Sequence, residues 1–485
     1  MFNRVACALL LFFFSSSIFC NPSSGREQSG CRLTANLQGV FSSDFSLIPF
    51  ENGKAVKPIV KITDIKDGQS AVFDIPARYI PGEFVLRMDY RGKESDRPYP
   101  AEKYIFVNKQ DIELFINPVY SNNSDVTKFN AGERENTVYD AFIKGNQLRR
   151  QQVDLLMQVL LSYDRPGSKF YKQAEKEYEA RRVGYNNWLK EQALKNKGLF
   201  TAKLFQFEHI PAVKWNGRED EYANRILENY FEGIDFSDPD IVNSRQLSMF
   251  MDNYMRLYGS QAKTDADRSP LFVKAASLAC GKASKGHPRV YGWMVDYFYS
   301  GFEAYNVKTG MAMLKEHIEN PACLTSKKEQ IAKRAEGMEK LIPGAQAPDF
   351  MLTGPDGRPF FFYEYKARGR YKLLLFWTTG CKGCLDFIEG LKVWYEQAEN
   401  KDRLDIIAVN LDETASGVQK WQEMSKALIG WIHLQAKEGV NSSPANNYSV
   451  LSTPVIFLID AADNKIAANP DDFDDLIKIL TENGI

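Results

Sequence analysis

Histidine is scarce in this sequence, four in 485 residues, and cysteine is nearly so, with seven. The histidines at 209, 287, 317 and 433 are scattered, and no second CxxC accompanies the one at 381–384. A zinc site would have to gather distant ligands, so no metal and no cofactor is expected. Charge of one sign is also lacking: 61 Lys and Arg balance 62 Asp and Glu, leaving a formal −1. That balance removes the electrostatic reason to expect a nucleic-acid partner. Outside the N-terminus no run of about 18 apolar residues could span a bilayer. The 44% hydrophobic content builds real cores, in a chain about three average domains long.

Arg4 precedes residues 5–19 (VACALLLFFFSSSIF), too short for a bilayer and of the length of a secretory signal's apolar core. Residues 1–20 are therefore read as a signal peptide, with the periplasm or cell envelope as destination. Cys20 stands where a lipoprotein would be acylated, yet Phe19 before it is a poor fit to that processing. Ordinary cleavage is favoured, and a membrane contact follows only if Cys20 is lipidated. Either way the other cysteines reach a compartment where disulfides persist.

The texture then changes twice. Residues 31–118 read as short alternating strands, with Phe84, Leu86, Met88 and Tyr90 on one face and Ile112, Leu114 and Ile116 on another. Asn52-Gly53 and Asp67-Gly68 mark hairpins, and the block is expected to be β-sandwich-like. Residues 130–341 show helical periodicity, as in the stripes Val153, Leu156, Met157, Leu160, Leu161 and Tyr171, Ala174, Tyr178, Val183. This middle domain is expected to be all α, with Phe250, Tyr254 and Tyr258 in its core. From 344 to 485 strands alternate with helices, the pattern of an α/β domain.

Chemistry concentrates in residues 373–384 (LLLFWTTGCKGC): an apolar strand, a short turn, and a CxxC opening a helix. Unpaired N–H groups and the macrodipole at a helix N-terminus favour a thiolate, so Cys381 is the expected nucleophile. Cys384, one turn on, is placed to resolve a mixed disulfide. A static disulfide is the alternative. A second feature is Thr453-Pro454 at the mouth of an apolar strand that ends at Asp460, where proline is admitted only in a special conformation.

Ala347-Pro348-Asp349-Phe350, Phe376-Trp377, the CxxC, residues 407–412 (IAVNLD), and Thr453-Pro454 with Asp460 together resemble the thioredoxin-like domains of the TlpA/ResA type. The resemblance implies a thioredoxin fold over 344–485, Cys381 as nucleophile, Cys384 as resolving thiol, and Pro454 as a cis-proline facing them. It also implies that the Thr453 backbone pairs with an extended substrate and that Trp377 packs beside the site, which makes Trp377, Thr453 and Pro454 the expected substrate-binding residues. Two departures stand out: Leu375 replaces a buried Asp of thioredoxins, and Phe387 replaces a carboxylate of some ResA-like proteins. Asp386 and Glu389 are near in sequence, and the proton-handling group stays unassigned. Lys382 either raises the potential or is merely solvated, and potentials in this fold run from roughly −270 to −120 mV.

The upstream blocks resemble uncharacterised domains that precede thioredoxin-like domains in exported Bacteroidetes proteins, through Pro81-Gly82-Glu83-Phe84, residues 229–231 and 235–239, and Gly310-Met311. The expected activity is thiol–disulfide exchange on exported protein thiols and disulfides, as reductant or isomerase rather than strong oxidant. A membrane thiol reductase would be the electron donor. A thiol peroxidase is the alternative, from Ala347–Phe350 and the T-x-x-C of Thr378 and Cys381, although Leu374 stands where peroxidases place Pro. A non-catalytic partner-binding protein is the other. A structural Cys280–Cys323 disulfide is favoured over buried thiols, and Cys31 has no evident partner.

Overall fold

The computed structural model describes residues 29–215, 221–305, 307–397 and 403–483. The signal segment read from the sequence, with Cys7 and Cys20, lies outside the described residues. Two compact units emerge: one ends at Asn136 without residues 50–56, and the other holds 50–56 and everything from Thr137 onward.

In the first unit two sheets enclose a core. One sheet runs β5 (Ser70–Pro76), β1 (Ser29–Leu37), β8 (Ile112–Ile116), β9 (Lys128–Phe129), and the other sets β2 (Ser42–Glu51) beside β6 (Gly82–Arg91), then β7 (Tyr99–Val107). β4 (Val60–Lys66) pairs with β2. Alternation selects the inner face, as a period of two requires: Cys31, Leu33, Ala35 and Leu37 are buried, and they share a core with Phe45, Leu47, Phe84, Leu86 and Met88. Asp67-Gly68 corrects the hairpin reading: β4 pairs with β2 and β5 with β1, so this turn carries the chain from one sheet to the other. Asn52-Gly53 does close a hairpin, between β2 and β3 (Lys54–Ala55), with φ of 50° and 74°.

The second unit begins with helices α1 (Glu135–Ser162), α2 (Lys169–Lys195), α3 (Phe200–Leu204), α4 (Tyr222–Glu228), α5 (Arg245–Gly259), α6 (Asp265–Ala283), α7 (Pro288–Ala304), α8 (Lys308–Ile318) and α9 (Lys328–Lys340). Phe250, Tyr254 and Tyr258 are buried on α5. On α2 the buried stripe is Tyr171, Ala174, Tyr178, Arg182, Tyr185, Leu189, whereas Val183 is 41% exposed. The helical step from Tyr178 falls on Arg182, which is retained in the core by hydrogen bonds to Glu179 and the Ile210 carbonyl.

The rest of the unit is a seven-stranded sheet ordered β11 (Pro359–Phe361), β10 (Met351–Thr353), β14 (Ile432–Gln435), β13 (Leu404–Asn410), β12 (Tyr371–Trp377), β15 (Val455–Asp460), β16 (Ile466–Ala468). Helices α10 (Lys382–Tyr395), α11 (Ala415–Ala427), α12 (Ser443–Asn447) and α13 (Phe473–Glu482) accompany it. β12 is parallel to β13 and antiparallel to β15, and every residue of it is buried. Its two faces feed separate cores, Leu373, Leu375 and Trp377 with α10 and α13, and Leu374 and Phe376 with Phe350 and Tyr448.

Two charges sit inside this apolar sheet. Lys372 donates to the Phe362 carbonyl at 3.2 Å and to Asn464 Oδ1 at 2.8 Å, and burial lowers its pKa. Asp405, 2% exposed, accepts from the Arg368 N–H at 2.6 Å, the Gly369 N–H at 3.1 Å and the Tyr365 hydroxyl at 3.0 Å. Asp405→Ala strands the buried Gly369 N–H and the part-buried Arg368 N–H and Tyr365 hydroxyl, and is expected to cost about 3 kcal/mol. Calorimetry should show the transition of this unit several degrees lower; an unchanged Tm would mean that water replaces the carboxylate freely.

Candidate active site

The fully buried β12 ends at Trp377, and the turn after it delivers Cys381 to the N-cap of α10. The turn is held from the neighbouring strand. Asp412, just past β13, accepts the Thr379 N–H at 2.8 Å and the Asn410 side-chain amide at 2.8 Å. At the N-cap the Cys384 N–H donates to Cys381 Sγ at 3.1 Å, so an orphan donor of the first helical turn points at the sulfur. Cys381 and Cys384 form a disulfide with Cα atoms 5.2 Å apart. Cys381 is partly exposed, whereas Cys384 is wholly buried in the core beneath α10.

From the other side comes the loop before β15. The Thr453-Pro454 bond is cis. The Thr453 carbonyl oxygen lies 3.3 Å from Cys381 Sγ, where it can accept the proton of the reduced thiol, and the Thr453 and Thr378 hydroxyls are 3.3 Å apart. The structure thus brings together Cys381, Cys384, Thr453 and Pro454. Trp377 is placed differently from a substrate contact. Its side chain is fully buried in the core that holds Cys384, out of reach of a client, and supports the site from beneath. Asp386 and Glu389 are exposed on α10.

Asp412 was within reach of sequence reading only as the last letter of IAVNLD; its role as the anchor of the turn is a tertiary fact. Glu303 and Arg334 had no sequence signal. They come from α7 and α9, form a bidentate pair at 2.9 and 3.3 Å with each side chain 15% exposed, and reach the loop that carries Thr453.

Cys280 and Cys323 correct the expected bridge: they are separate, buried thiols, as is Cys31. Burial pushes the Cys323 thiol up to about 11 and raises Cys280 further, with Cys323 adding to that rise. Such thiols behave as small apolar side chains.

Residues 369–466 match the family model described as thioredoxin-like. The C-terminal part of the chain is therefore a thioredoxin-like domain with a CxxC pair at its helix N-cap. Its sequence is similar to those of thiol-disulfide oxidoreductases named ResA. The thiol-disulfide oxidoreductase ResA of Geobacillus thermodenitrificans is 32% identical over 120 residues, which span 24% of this chain and 63% of that protein. The thioredoxin-like protein YneN of Bacillus subtilis is 28% identical over 134 residues, 27% of this chain and 70% of that one. A crystal structure of a thioredoxin-like protein from Bacteroides caccae covers 56% of this chain and 97% of its own, at 16% identity and a TM-score of 0.36.

Unfolding the oxidised protein in alkylating agent without reductant should label Cys31, Cys280 and Cys323 and leave Cys381 and Cys384 joined. In the native protein at pH 8, a thiol of pKa near 11 holds about one thiolate per thousand molecules, so Cys323 should resist labelling. A disulfide-linked peptide pair containing Cys280 and Cys323 would contradict this arrangement.

Proposed function

We propose that the chain catalyses thiol–disulfide exchange on exported polypeptides through Cys381 and Cys384, in the reducing or isomerising direction. The observation that carries this reading is the asymmetry of the pair: a partly exposed sulfur that accepts a helix N-terminal N–H, bonded to a sulfur wholly buried. The Cys381 thiolate attacks a client disulfide, forming a mixed disulfide and releasing one client thiolate. Cys384 then loses its proton and attacks the Cys381 sulfur. The client leaves as its second thiolate, and the Cys381–Cys384 disulfide now holds the oxidising equivalent. A dithiol donor must return two electrons before the next turnover.

The surroundings of the sulfur support the reducing or isomerising direction. One N–H donor stabilises the thiolate, while the Thr453 carbonyl favours the protonated thiol. Strong oxidants of this fold stabilise their reduced form heavily, whereas here a carbonyl contact opposes the single N–H donor. The apolar segment at 5–19 supports an extracytoplasmic workplace, with the periplasm or cell envelope as the compartment and a membrane thiol reductase as the donor. Among the described residues no helix is long and apolar enough to cross a membrane.

Insulin reduction driven by a dithiol tests the reading. Wild type should accelerate precipitation, Cys381→Ser should abolish the effect, and Cys384→Ser should accumulate a client mixed disulfide at Cys381. Equal activity in wild type and Cys381→Ser would sink it, and rapid peroxide consumption by the reduced protein would point to a peroxidase instead.

A further inference from the structure

The loop that carries Thr453 and Pro454 is held from outside the thioredoxin-like domain. Arg334 on α9 donates from Nη1 to the Ser449 carbonyl at 2.9 Å and from Nη2 to Ser452 Oγ at 3.3 Å. Glu303, at the end of α7, binds the same guanidinium through both oxygens and accepts from Ser452 Oγ at 3.2 Å. One part-buried ion pair therefore grips the loop at two points, with geometry that a planar guanidinium supplies and a lysine cannot.

Three further observations make the grip consequential. Ser449 has φ of 51°, a left-handed conformation that a non-glycine residue keeps only when its surroundings hold it there. Gly337, one turn beyond Arg334, lies so close that a Cβ added there would sit 2.3 Å from Ser449 Cβ. Behind Pro454, a cavity of about 160 Å³ opens towards Met311 and Met338. Apolar packing leaves space behind Pro454, so the position of the loop there depends on the directional hydrogen bonds together with the Gly337–Ser449 contact.

We propose that Arg334 and Glu303 are positioning residues of the exchange reaction, acting through the 449–454 loop to set the Thr453 carbonyl against Cys381 and against an incoming client segment. The client half of this statement rests on the exchange function proposed above. The helical segment thereby becomes part of the catalytic unit: it tunes the site from behind and determines how well an extended polypeptide is received.

The test uses the full chain with Arg334→Gln and, independently, Gly337→Ala, each checked for a cooperative melt. Loosening the loop withdraws the Thr453 carbonyl from the Cys381 thiol. The alkylation rate of Cys381 in the reduced protein at pH 7 should then rise about threefold. With insulin as client, KM should rise about fivefold while kcat changes less. Unchanged Cys381 alkylation and unchanged KM in folded variants would overturn the proposal. So would a loss confined to kcat with alkylation unaltered. An inactive wild type would remove the exchange function but not the alkylation readout, which needs no client. Should Arg334→Gln fail to fold, Gly337→Ala presses the same loop without breaking the ion pair, and an unmoved alkylation rate there is equally decisive.

Discussion

A single donor orientation underlies the site: the Cys384 N–H aimed at the Cys381 sulfur, 3.1 Å away. It exists because α10 begins at Cys381, and α10 begins there because β12 is buried on both faces and can end only where its core ends. Adjacent strands complete the geometry. β13 ends in Asn410 and delivers Asp412 to the turn, and β15 starts just after Thr453 and delivers a carbonyl to the sulfur. Three neighbouring strand ends thus meet at the turn that carries Cys381.

Burial then divides the work between two chemically identical groups. Cys381 keeps access to solvent, so a client disulfide can reach it. Cys384 packs with Trp377, Phe387 and Leu391, where a client cannot compete for it. In the exchange proposed above, that burial leaves Cys384 to attack only the mixed disulfide formed at Cys381. The other buried cysteines show what burial does without a helix N-terminus: Cys280 and Cys323 are held protonated chiefly by desolvation.

What could be read in advance follows from the range of the forces involved. The strand, turn and CxxC were legible because periodicity and helix-capping physics act within a dozen residues. The alternating faces of Phe84, Leu86 and Met88 and of Ile112, Leu114 and Ile116, all buried, were legible for the same reason. Asp67-Gly68 was misread because a turn dipeptide encodes a change of direction and not which strand is met next. Val183 was misplaced because the α2 stripe continues through an arginine, and hydropathy assigns arginine to the outside. Lys372 and Asp405 were missed on the same ground, since their compensating partners lie at Asn464 and Arg368, out of reach of local pattern. Trp377 was taken for a substrate contact on the resemblance alone, which does not say which face of β12 it occupies.

The Arg334–Glu303 pair belongs to this last class, and it changes how the chain should be divided. By texture, the helices and the α/β segment are separate domains; by contact they are one unit, with the catalytic loop gripped between them. A part-buried ion pair is a poor source of net stability, since desolvation offsets much of the attraction. Its distinctive contribution is direction, because the guanidinium fixes two points of the loop at once. Removing the helices to isolate the redox domain would therefore expose Ser449 and Ser452 to water in place of Arg334, and leave the left-handed turn at Ser449 without its anchor. The conformation of Thr453 would then be decided by the domain's own packing, on the side where a cavity already leaves it room.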